Sequence, residues 1–251
     1  MTEFDMLIDL HVGNDRQGPG ADRETRRALE LCGSDDGEPL AVADVGCGTG
    51  ASALVLAEEL NARVTAIDAA AVFIDRLRER AAGRGLRERI DAQTGQMEQL
   101  PFGESSLDVI WSEGAIYNIG FARGLAAWRR FLRPRGVVAV SELSWFTVRR
   151  PEVVEDYWSR EYPDIGTIPE NMSRLEHAGY DPIGCFVLPA PCWTENYYRP
   201  LDAGFDDFLD RHGRSEAAMS LVDAHRAESN LYDEYGTWYG YAFYIGRKSA
   251  D

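Results

Sequence analysis

The sequence predicts an α/β protein in which a mostly parallel, doubly wound sheet carries helices on both faces. Short apolar runs alternate with helix-like segments over residues 40–140, and this alternation is typical of consecutive βαβ units. A glycine-rich turn follows the first apolar run, where doubly wound proteins bind a ligand. The 251 residues, of which 45% are hydrophobic, suffice for one large core.

Apolar spacing defines the elements of the first half. A helix is predicted over residues 51–60. A second helix is predicted from an apolar face formed by Ala70, Ile74, Leu77 and Ala81. A third is expected from Phe121, Leu125, Trp128 and Leu132, with Pro134 stopping it. Strands are predicted at residues 40–45, 63–67, 89–92, 107–111 and 136–140.

The composition changes after residue 145, where aromatic residues and prolines become dense. A helix is predicted over residues 167–178. Two closing strands are predicted at residues 183–188 and 238–245, with a partly helical insert between them. No linker separates this part from the preceding sheet, so we expect it to elaborate the same domain.

The charge balance limits the classes of partner. The chain has 26 basic and 42 acidic residues, a formal net charge of −16. A surface of that sign repels phosphate backbones and anionic lipids, so we expect neither nucleic acid nor a membrane as a partner. The arginines of residues 76–89 alternate with acidic residues, which indicates a solvated helix face.

The cysteines and the first residues indicate the compartment. None of the four cysteines lies in a CxxC pair or at a zinc-type spacing, which favours a reducing environment and no structural metal. Glu3, Asp5 and Asp9 interrupt the first apolar run, which is therefore neither a signal peptide nor a membrane span. We expect a cytoplasmic protein.

The glycine-rich turn at residues 42–50 is the most informative motif. Gly46, Gly48 and Gly50 let the chain turn tightly from a strand into a helix and approach a ligand closely. Asp68 ends the second strand, 20 residues after Gly48, where a carboxylate could accept hydrogen bonds from both hydroxyls of a ribose. Together these features predict a nucleotide site.

The turn alone does not identify the nucleotide. Gly46, Gly48 and Ala51 also satisfy the dinucleotide pattern G-x-G-x-x-[GA], which uses a similar downstream acid. Asp44, however, lies two residues before the first glycine, where it would repel a pyrophosphate and suit an ammonium group. At this point a nicotinamide cofactor and a cofactor with a methionyl group both remain open.

The W-S-E-G-A-I-Y-N-I-G-F stretch at residues 111–121 resembles a group of bacterial small-molecule methyltransferases. Three further stretches resemble the class I S-adenosylmethionine-dependent methyltransferases. They are the D-x-G-C-G-T-G turn with its downstream acid, the G-x-x-x-x-L-P-F segment at residues 95–102, and the L-R-P-R-G lead-in at residues 132–136. The family usually has glycine where Arg135 stands. The resemblance extends over about residues 38–145.

The resemblance implies a Rossmann-like, doubly wound, seven-stranded sheet that is mostly parallel, with an antiparallel last strand and helical elaborations that cap the substrate. It implies a single methyltransferase domain over residues 1–251. Within it, residues 1–37 are a helical and loop prelude, residues 38–145 the cofactor-binding core, and residues 146–251 the substrate-facing elaboration with the closing strands. The implied activity is methyl transfer from S-adenosylmethionine to a small-molecule acceptor.

The resemblance also implies which residues bind the cofactor. Asp44 and the glycines would hold the methionyl part, Asp68 the ribose, and residues 96–97 the adenine, although the family often has aspartate where Gln96 stands. The N-terminal loop could fold over the cofactor. The full expected set is Gln17, Asp44, Gly46, Gly48, Gly50, Asp68, Ala69, Gln96, Met97 and Ser112.

Catalytic candidates follow the fourth and fifth strands. Glu113, Tyr117 and Glu142 are expected near the methyl group, where a desolvated glutamate could act as a base or bind an amine cation. The alternative is that one of the two glutamates only caps a loop amide or contacts the cofactor. Trp145, Phe146, Trp193, Tyr197 and Tyr198 could line an apolar or cation-binding pocket, or each could equally pack in the core, whereas His177, His212 and His225 are expected at the surface.

Two other functions compete with methyl transfer. A nicotinamide-dependent oxidoreductase fits the glycine turn and Asp68, but the sequence has no evident hydride-transfer dyad. A binding module that keeps cofactor affinity without catalysis fits the same motifs.

Overall fold

The computed structural model describes residues 2–33 and 37–250. Its centre is a twisted sheet in the order β3-β2-β1-β4-β5-β8-β7. The strands are β1 Leu40–Val45, β2 Ala62–Asp68, β3 Ile90–Thr94, β4 Leu107–Glu113, β5 Leu132–Trp145, β6 Gly166–Thr167, β7 Tyr180–Val187 and β8 Tyr239–Lys248.

The first five strands are parallel to one another. β1 is central, and its last four residues are fully enclosed because helices cover both faces of the sheet. Parallel pairing aligns the carboxyl ends of β1, β2 and β4, so that Val45 lies beside Ile67 and Asp44 beside Trp111. The strand ends that carry Gly46, Asp68 and Glu113 therefore meet at one edge of the sheet.

The last strand confirms the expected antiparallel closure. β8 runs antiparallel to both β5 and β7 and lies between them. The two-residue strand β6, which pairs with the end of β5, adds a short eighth strand to the seven that were expected. The Rossmann-like fold class predicted from the sequence is confirmed.

Helices cover both faces of the sheet and the ligand-facing edge. α1 and α2 precede the sheet, α3 to α5 connect parallel strands, and the later helices elaborate the second half. The helices are α1 Glu3–His11, α2 Asp22–Cys32, α3 Ala51–Glu59, α4 Ala71–Gly83, α5 Phe121–Trp128, α6 Glu152–Glu161, α7 Ile168–His177, α8 Pro191–Trp193, α9 Arg199–Arg211 and α10 Glu216–Tyr235, with a π-helical turn at Thr194–Tyr198.

The helix expected to run from Phe121 through Leu132 is shorter than predicted. α5 ends at Trp128, and a 3₁₀ turn at Arg129–Phe131 leads directly into β5. Leu132 pairs with Leu107 in the sheet, and the register shifts before Val137 meets Val109. The apolar periodicity continued past the helix because Leu132 is buried by the sheet instead.

Arg135 lies within the shifted stretch of β5. Its φ of 67° is in the left-handed region, which glycine adopts without the steric cost that a side chain adds. This conformation gives a physical reason for the glycine that the family usually has at this position.

No helix in the described ranges is long and apolar enough to cross a membrane. The four cysteines, all in the described part, are free thiols.

Candidate active site

A cavity of about 440 Å³ opens at the carboxyl ends of β1, β2 and β4, where doubly wound sheets bind ligands. Its volume is within the range for small-molecule sites. The glycine turn, the ends of β2 and β4, the N-terminal segment and α10 all contribute to its lining. Nine predicted site residues line it: Gln17, Gly46, Gly48, Asp68, Ala69, Gln96, Met97, Glu113 and Tyr117.

The glycine turn requires glycine at each of its key positions. Gly46 has a φ of 73°, and a Cβ there would lie 2.3 Å from the Cβ of Ala115. Gly50 has a φ of 87°, and its Cβ would lie 2.0 Å from Leu77 Cδ1 on α4. Gly50 therefore faces the core rather than the cavity, so its requirement for glycine comes from its positive φ and from core packing.

Asp68 lies at the cavity wall, held by the backbone on both sides. Its two carboxylate oxygens accept hydrogen bonds from Gly48 N and Ala70 N, each at 2.9 Å. Burial raises the pKa of Asp68, and these amide hydrogen bonds oppose the rise. Each oxygen retains a further lone pair, so a rigidly held acceptor faces the cavity.

Asp44 lies behind the cavity wall and is fully buried. Ser52 Oγ donates to one carboxylate oxygen at 2.7 Å, and the other oxygen has no partner in the described part of the chain. Burial raises the pKa of Asp44 to about 7. Ser52 itself lines the cavity, so the hydrogen bond with Ser52 connects the buried Asp44 carboxylate to the cavity wall.

The N-terminal segment, residues 12–20, is fastened to the glycine turn. Gln17 Oε1 accepts from Thr49 N at 2.8 Å, and Gln17 Nε2 donates to Thr49 Oγ1 at 3.1 Å. The guanidinium of Arg80 donates to the carbonyls of Asp15 and Thr49, each at 2.9 Å. Arg80 is thus withdrawn from the solvated helix face expected for the arginines of residues 76–89.

Glu113 is fully engaged by the protein. Its Oε2 pairs with Arg16 at 2.9 Å, and its Oε1 accepts from Thr25 Oγ1 at 2.7 Å and Trp111 Nε1 at 2.9 Å. Both members of the ion pair have side chains only 9% exposed. Glu113 therefore anchors the N-terminal segment at the tip of β4, and Arg16, which the sequence analysis did not identify, lines the cavity beside it.

Glu142 and Ser112 lie in the protein interior, outside the cavity lining. Glu142 is 1% exposed, and its Oε1 accepts from Leu143 N at 3.1 Å. Burial raises its pKa from 4.5 to about 8. Ser112 Oγ and Glu142 Oε2 are both buried without a partner among residues 2–33 and 37–250.

Residues of α1, α10 and the π-helical turn form a wall of the cavity that was not predicted from the sequence. Of the five aromatic residues expected there, only Tyr197 lines the cavity; Trp193 instead stacks on Tyr232 with ring centroids 4.5 Å apart. His225, expected at the surface, also lines it. We call this the α1–α10 wall: Phe4, Leu7, Ile8, His11, Tyr197 and His225.

The comparisons with known proteins indicate a methyltransferase. Residues 42–136 match the family model described as a methyltransferase domain. With the sheet order and the site described above, this match confirms the resemblance to the class I S-adenosylmethionine-dependent methyltransferases. It favours S-adenosylmethionine over a nicotinamide cofactor.

Individual relatives resemble parts of the chain. A glycine/sarcosine/dimethylglycine N-methyltransferase of Actinopolyspora halophila is 31% identical over 53% of this chain and 24% of its own length. A dimethylglycine N-methyltransferase of Parasynechococcus marenigrum (strain WH8102) is 32% identical over 51% of this chain and 48% of its own length. The chain thus spans half or less of these curated relatives.

A solved structure covers nearly the whole fold. The methyltransferase of Thiobacillus denitrificans, crystallised with S-adenosyl-L-homocysteine, has a TM-score of 0.81 and 18% identity, covering 97% of this chain and 96% of that one. At this identity the likeness concerns the fold.

The residues present fit the cofactor. The turn leaves no room for a Cβ at Gly46, so backbone rather than side chain meets the ligand there. Asp68, fixed by two amides, offers the paired acceptor that a ribose diol requires. Ile67 and Phe73 supply apolar lining around it.

Proposed function

We propose that this protein transfers the methyl group of S-adenosylmethionine to a small-molecule acceptor. The observation that carries the proposal is the shared cavity: Asp68 and the glycine turn line the same space as the aromatic and imidazole side chains of the α1–α10 wall. A site of this composition can hold a nucleoside and a second molecule together.

The cofactor would be held by residues from four segments. Asp68 would bind the ribose hydroxyls, with Ala69 beside it, and Gln96 and Met97 would contact the adenine. The turn at Gly46 and Gly48 would receive the methionyl part, with Asp44 acting through Ser52. Arg16, already fixed by Glu113, carries further N–H donors that suit a carboxylate.

The acceptor would bind against the α1–α10 wall. The wall is predominantly apolar and aromatic, and Tyr117 lines the same cavity. The names of the two curated relatives give amino-acid amines as acceptors of those proteins, and we propose a small amine as the first acceptor class to test here.

The bound cofactor supplies a methyl group already activated by a sulfonium. The chain's own residues therefore have to align the acceptor, shield the reacting groups from water and remove a proton from the acceptor. The N-terminal segment shields the turn through its hydrogen bonds to Thr49. The end of β4, fixed by Glu113, holds Ala115 against the glycine turn. We therefore assign Glu113 a positioning role.

Two measurements test the proposal. Calorimetry with S-adenosyl-L-homocysteine should show binding by the wild-type protein, and a methyl-transfer assay with glycine, sarcosine and dimethylglycine should show turnover. Binding without turnover on these and a wider panel of amines and hydroxy acids would favour the non-catalytic binding module. Absence of binding would refute the proposal.

Asp68→Ala should weaken binding of S-adenosyl-L-homocysteine at least about tenfold, because two hydrogen bonds to a charged acceptor each contribute roughly 1.5–3 kcal/mol. Asp75→Ala, on the exposed face of α4, is the matched control and should bind like the wild type. Equal dissociation constants for the two variants would contradict the ribose assignment.

A further inference from the structure

The carboxylates of the described cavity lining are all engaged elsewhere, so none is free to remove a proton from an acceptor. Both oxygens of Glu113 accept hydrogen bonds from protein donors. Asp68 is held by two amides and is the proposed ribose ligand. Glu98 follows the segment proposed to contact the adenine. Glu142 lies outside the lining.

The two histidines of the lining are no better placed as bases. His11 is 5% exposed, and burial, together with His225, lowers its pKa to about 3. His225 has both ring nitrogens engaged, because Nδ1 lies 2.9 Å from the carbonyl oxygen of Leu221 and Nε2 lies 3.2 Å from Nε2 of His11. The pair is therefore part of the wall and not a proton acceptor.

The tyrosines of the lining, Tyr117 and Tyr197, keep their hydrogens at neutral pH. Desolvation of their hydroxyl ends, together with the neighbouring Glu228, raises the pKa of both phenols. Burial likewise raises the pKa of the Cys47 thiol well above its usual value. An acceptor that has to lose a proton thus finds no base among the described lining residues.

Glu228 supplies negative charge behind the α1–α10 wall. It lies three residues after His225 on α10, so it follows His225 by about one turn on the same face of the helix. Its Oε1 accepts from Tyr198 Oη at 2.8 Å. Tyr198 packs on Tyr197 with ring centroids 5.1 Å apart. The carboxylate therefore lies one tyrosine away from the cavity.

A third tyrosine, Tyr241 of β8, adjoins the same end of the cavity. A Cβ on Gly114, which lines the cavity, would lie 3.0 Å from Tyr241 Cε2. Burial raises the pKa of Tyr241, and two phenols and two carboxylates nearby raise it further: Tyr117, Tyr197, Glu142 and Glu228. This end of the cavity therefore combines aromatic rings with negative charge.

Such an end suits a cation. The guanidinium of Arg16, which also lines the cavity, is already paired with Glu113 at 2.9 Å and with Asp22 at 3.0 Å. Burial raises the pKa of Glu228 above its usual 4.5, so its ionised form would gain from a positive charge nearby. Aromatic rings attract ammonium groups most strongly where water is excluded.

We propose that the acceptor is a tertiary amine and the product a quaternary ammonium ion, with Tyr117 and Tyr197 contacting its methyl groups and Glu228 attracting its positive charge. The proposal rests on the proposed function and names its acceptor class. It accounts for a site that aligns and shields an acceptor without offering a base.

The balance of the step needs no proton acceptor in the protein. The amine binds as the free base, having left any proton in the solvent. Its lone pair forms the bond to the methyl carbon while the carbon–sulfur bond breaks and leaves its electron pair on sulfur. The positive charge passes from sulfur to nitrogen, and the nitrogen has no hydrogen to release.

A matched pair of probes tests the cation site without turnover. Choline carries a trimethylammonium group, and 3,3-dimethyl-1-butanol has the same shape with carbon in place of the charged nitrogen. In calorimetric titrations of the full chain saturated with S-adenosyl-L-homocysteine, choline should bind at least about tenfold more tightly. Equal affinities, or no measurable binding of choline, would overturn the proposal.

Substitutions at Tyr197 and Glu228 identify the groups that hold the cation. Tyr197→Phe keeps the ring and should bind choline almost like the wild type, whereas Tyr197→Leu should bind it about tenfold more weakly. Glu228→Gln should weaken choline about fivefold or more and leave 3,3-dimethyl-1-butanol unchanged. A disturbed fold would instead weaken both probes.

Glu234→Gln, on the exposed side of α10, is the matched control and should bind choline like the wild type. Wild-type affinity for choline in both Tyr197→Leu and Glu228→Gln would contradict the proposed cation site.

Turnover tests the acceptor class directly. N,N-dimethylglycine and N,N-dimethylethanolamine should be methylated with kcat/KM values at least about a hundredfold above those of glycine and ethanolamine, because the primary amines must lose a proton without a base to receive it. Comparable values for the primary amines, or turnover of a hydroxy acid and of no tertiary amine, would refute the proposal.

Failure of this proposal differs from failure of the proposed function. If the wild type binds S-adenosyl-L-homocysteine but does not prefer choline to its neutral analogue, only the acceptor class falls. If the wild type binds no S-adenosyl-L-homocysteine, the proposed function falls, and the same two probes applied to the cofactor-free chain still decide whether the cation site exists.

Discussion

Glu113, at the end of β4, fixes the positions of several groups around the site. It receives a guanidinium, a hydroxyl and an indole N–H, so its lone pairs are directed at the protein. The sequence identified the residue and its location, but expected a base or an amine contact. Its partner Arg16 lies 97 positions away, a pairing that no local pattern indicates.

Removing the Glu113 side chain should therefore mainly lower the stability of the protein, and not act directly on methyl transfer. Glu113→Ala leaves Arg16 without its buried partner, and such losses are typically about 3 kcal/mol or more. We expect the free energy of unfolding, measured by urea denaturation, to fall by about that amount.

Glu59→Ala is the matched control for this prediction. It breaks the pair with Arg26, whose side chains are both 43% exposed, and exposed pairs contribute at most about 1 kcal/mol. Similar losses in the two variants would contradict the anchoring role of Glu113.

Glu142 makes a pH-dependent contribution to stability. Its pKa rises from 4.5 to about 8 on folding because the side chain is buried. Between these values the folded protein binds more protons than the unfolded chain, so stability falls as pH rises. Glu142→Gln removes this titration, and its melting temperature should exceed that of the wild type by an amount that grows from pH 4.5 and levels off above pH 8.

The control for Glu142 is the exposed Glu152, at the start of α6. Glu152→Gln should shift the melting temperature little at any pH. A difference in melting temperature between Glu142→Gln and the wild type that stays constant across pH would show that the titration of Glu142 is not coupled to folding.

Gly48 is a poor position for a substitution that tests cofactor binding. Its φ is 53°, and a Cβ would lie 2.1 Å from Gln17 Oε1. Valine would therefore strain the turn and displace the N-terminal segment. Asp68 is the cleaner test of cofactor binding.

At the scale of elements, the sequence predicted best where an apolar pattern was compatible with only one kind of secondary structure. β1, α3, β2 and α4 follow alternating apolar runs, and all four form close to their expected bounds. Leu132 was assigned to the helix wrongly, because an apolar residue at that position is expected both in a buried strand and on the buried face of a helix. The α1–α10 wall was missed because His11 and His225 lie 214 residues apart, and His225 alone resembles a surface histidine.

The N-terminal segment should control cofactor release. Gln17→Ala removes the side-chain hydrogen bonds to Thr49, and losses of roughly 1 kcal/mol or more per bond should accelerate dissociation of S-adenosyl-L-homocysteine by about tenfold or more in stopped-flow experiments.

Gln93→Ala is the control for the segment. The side chain of Gln93 forms its hydrogen bond with Asp91 in β3. It lies away from the glycine turn. Dissociation at the wild-type rate in both variants would show that the segment does not hold the cofactor.

At the scale of the whole molecule, ligand binding should be visible as thermal stabilisation. At a hundredfold excess over its dissociation constant, a ligand that binds only the folded state adds about 2.7 kcal/mol. For a chain of this size that corresponds to a rise of roughly 5–10 °C in melting temperature. S-adenosyl-L-homocysteine should produce this rise in a thermal scan, whereas NADH at equal concentration should not.

The N-terminal segment also has a consequence for how the chain folds. Residues of this segment and of α1 find partners made much later: the amide of Gly20 bonds to Cys192, the carbonyl of Gly20 accepts from Asn196, and Asp9 pairs with Arg211. Such distant contacts form late, because a long loop must close before they can stabilise anything. The parallel strands β1 to β5 can pair while the cavity is still open on one side. Ligand binding is therefore acquired late in synthesis, and a protein ended before α10 would lack both the α10 side of the cavity and β8, which joins β5 to β7.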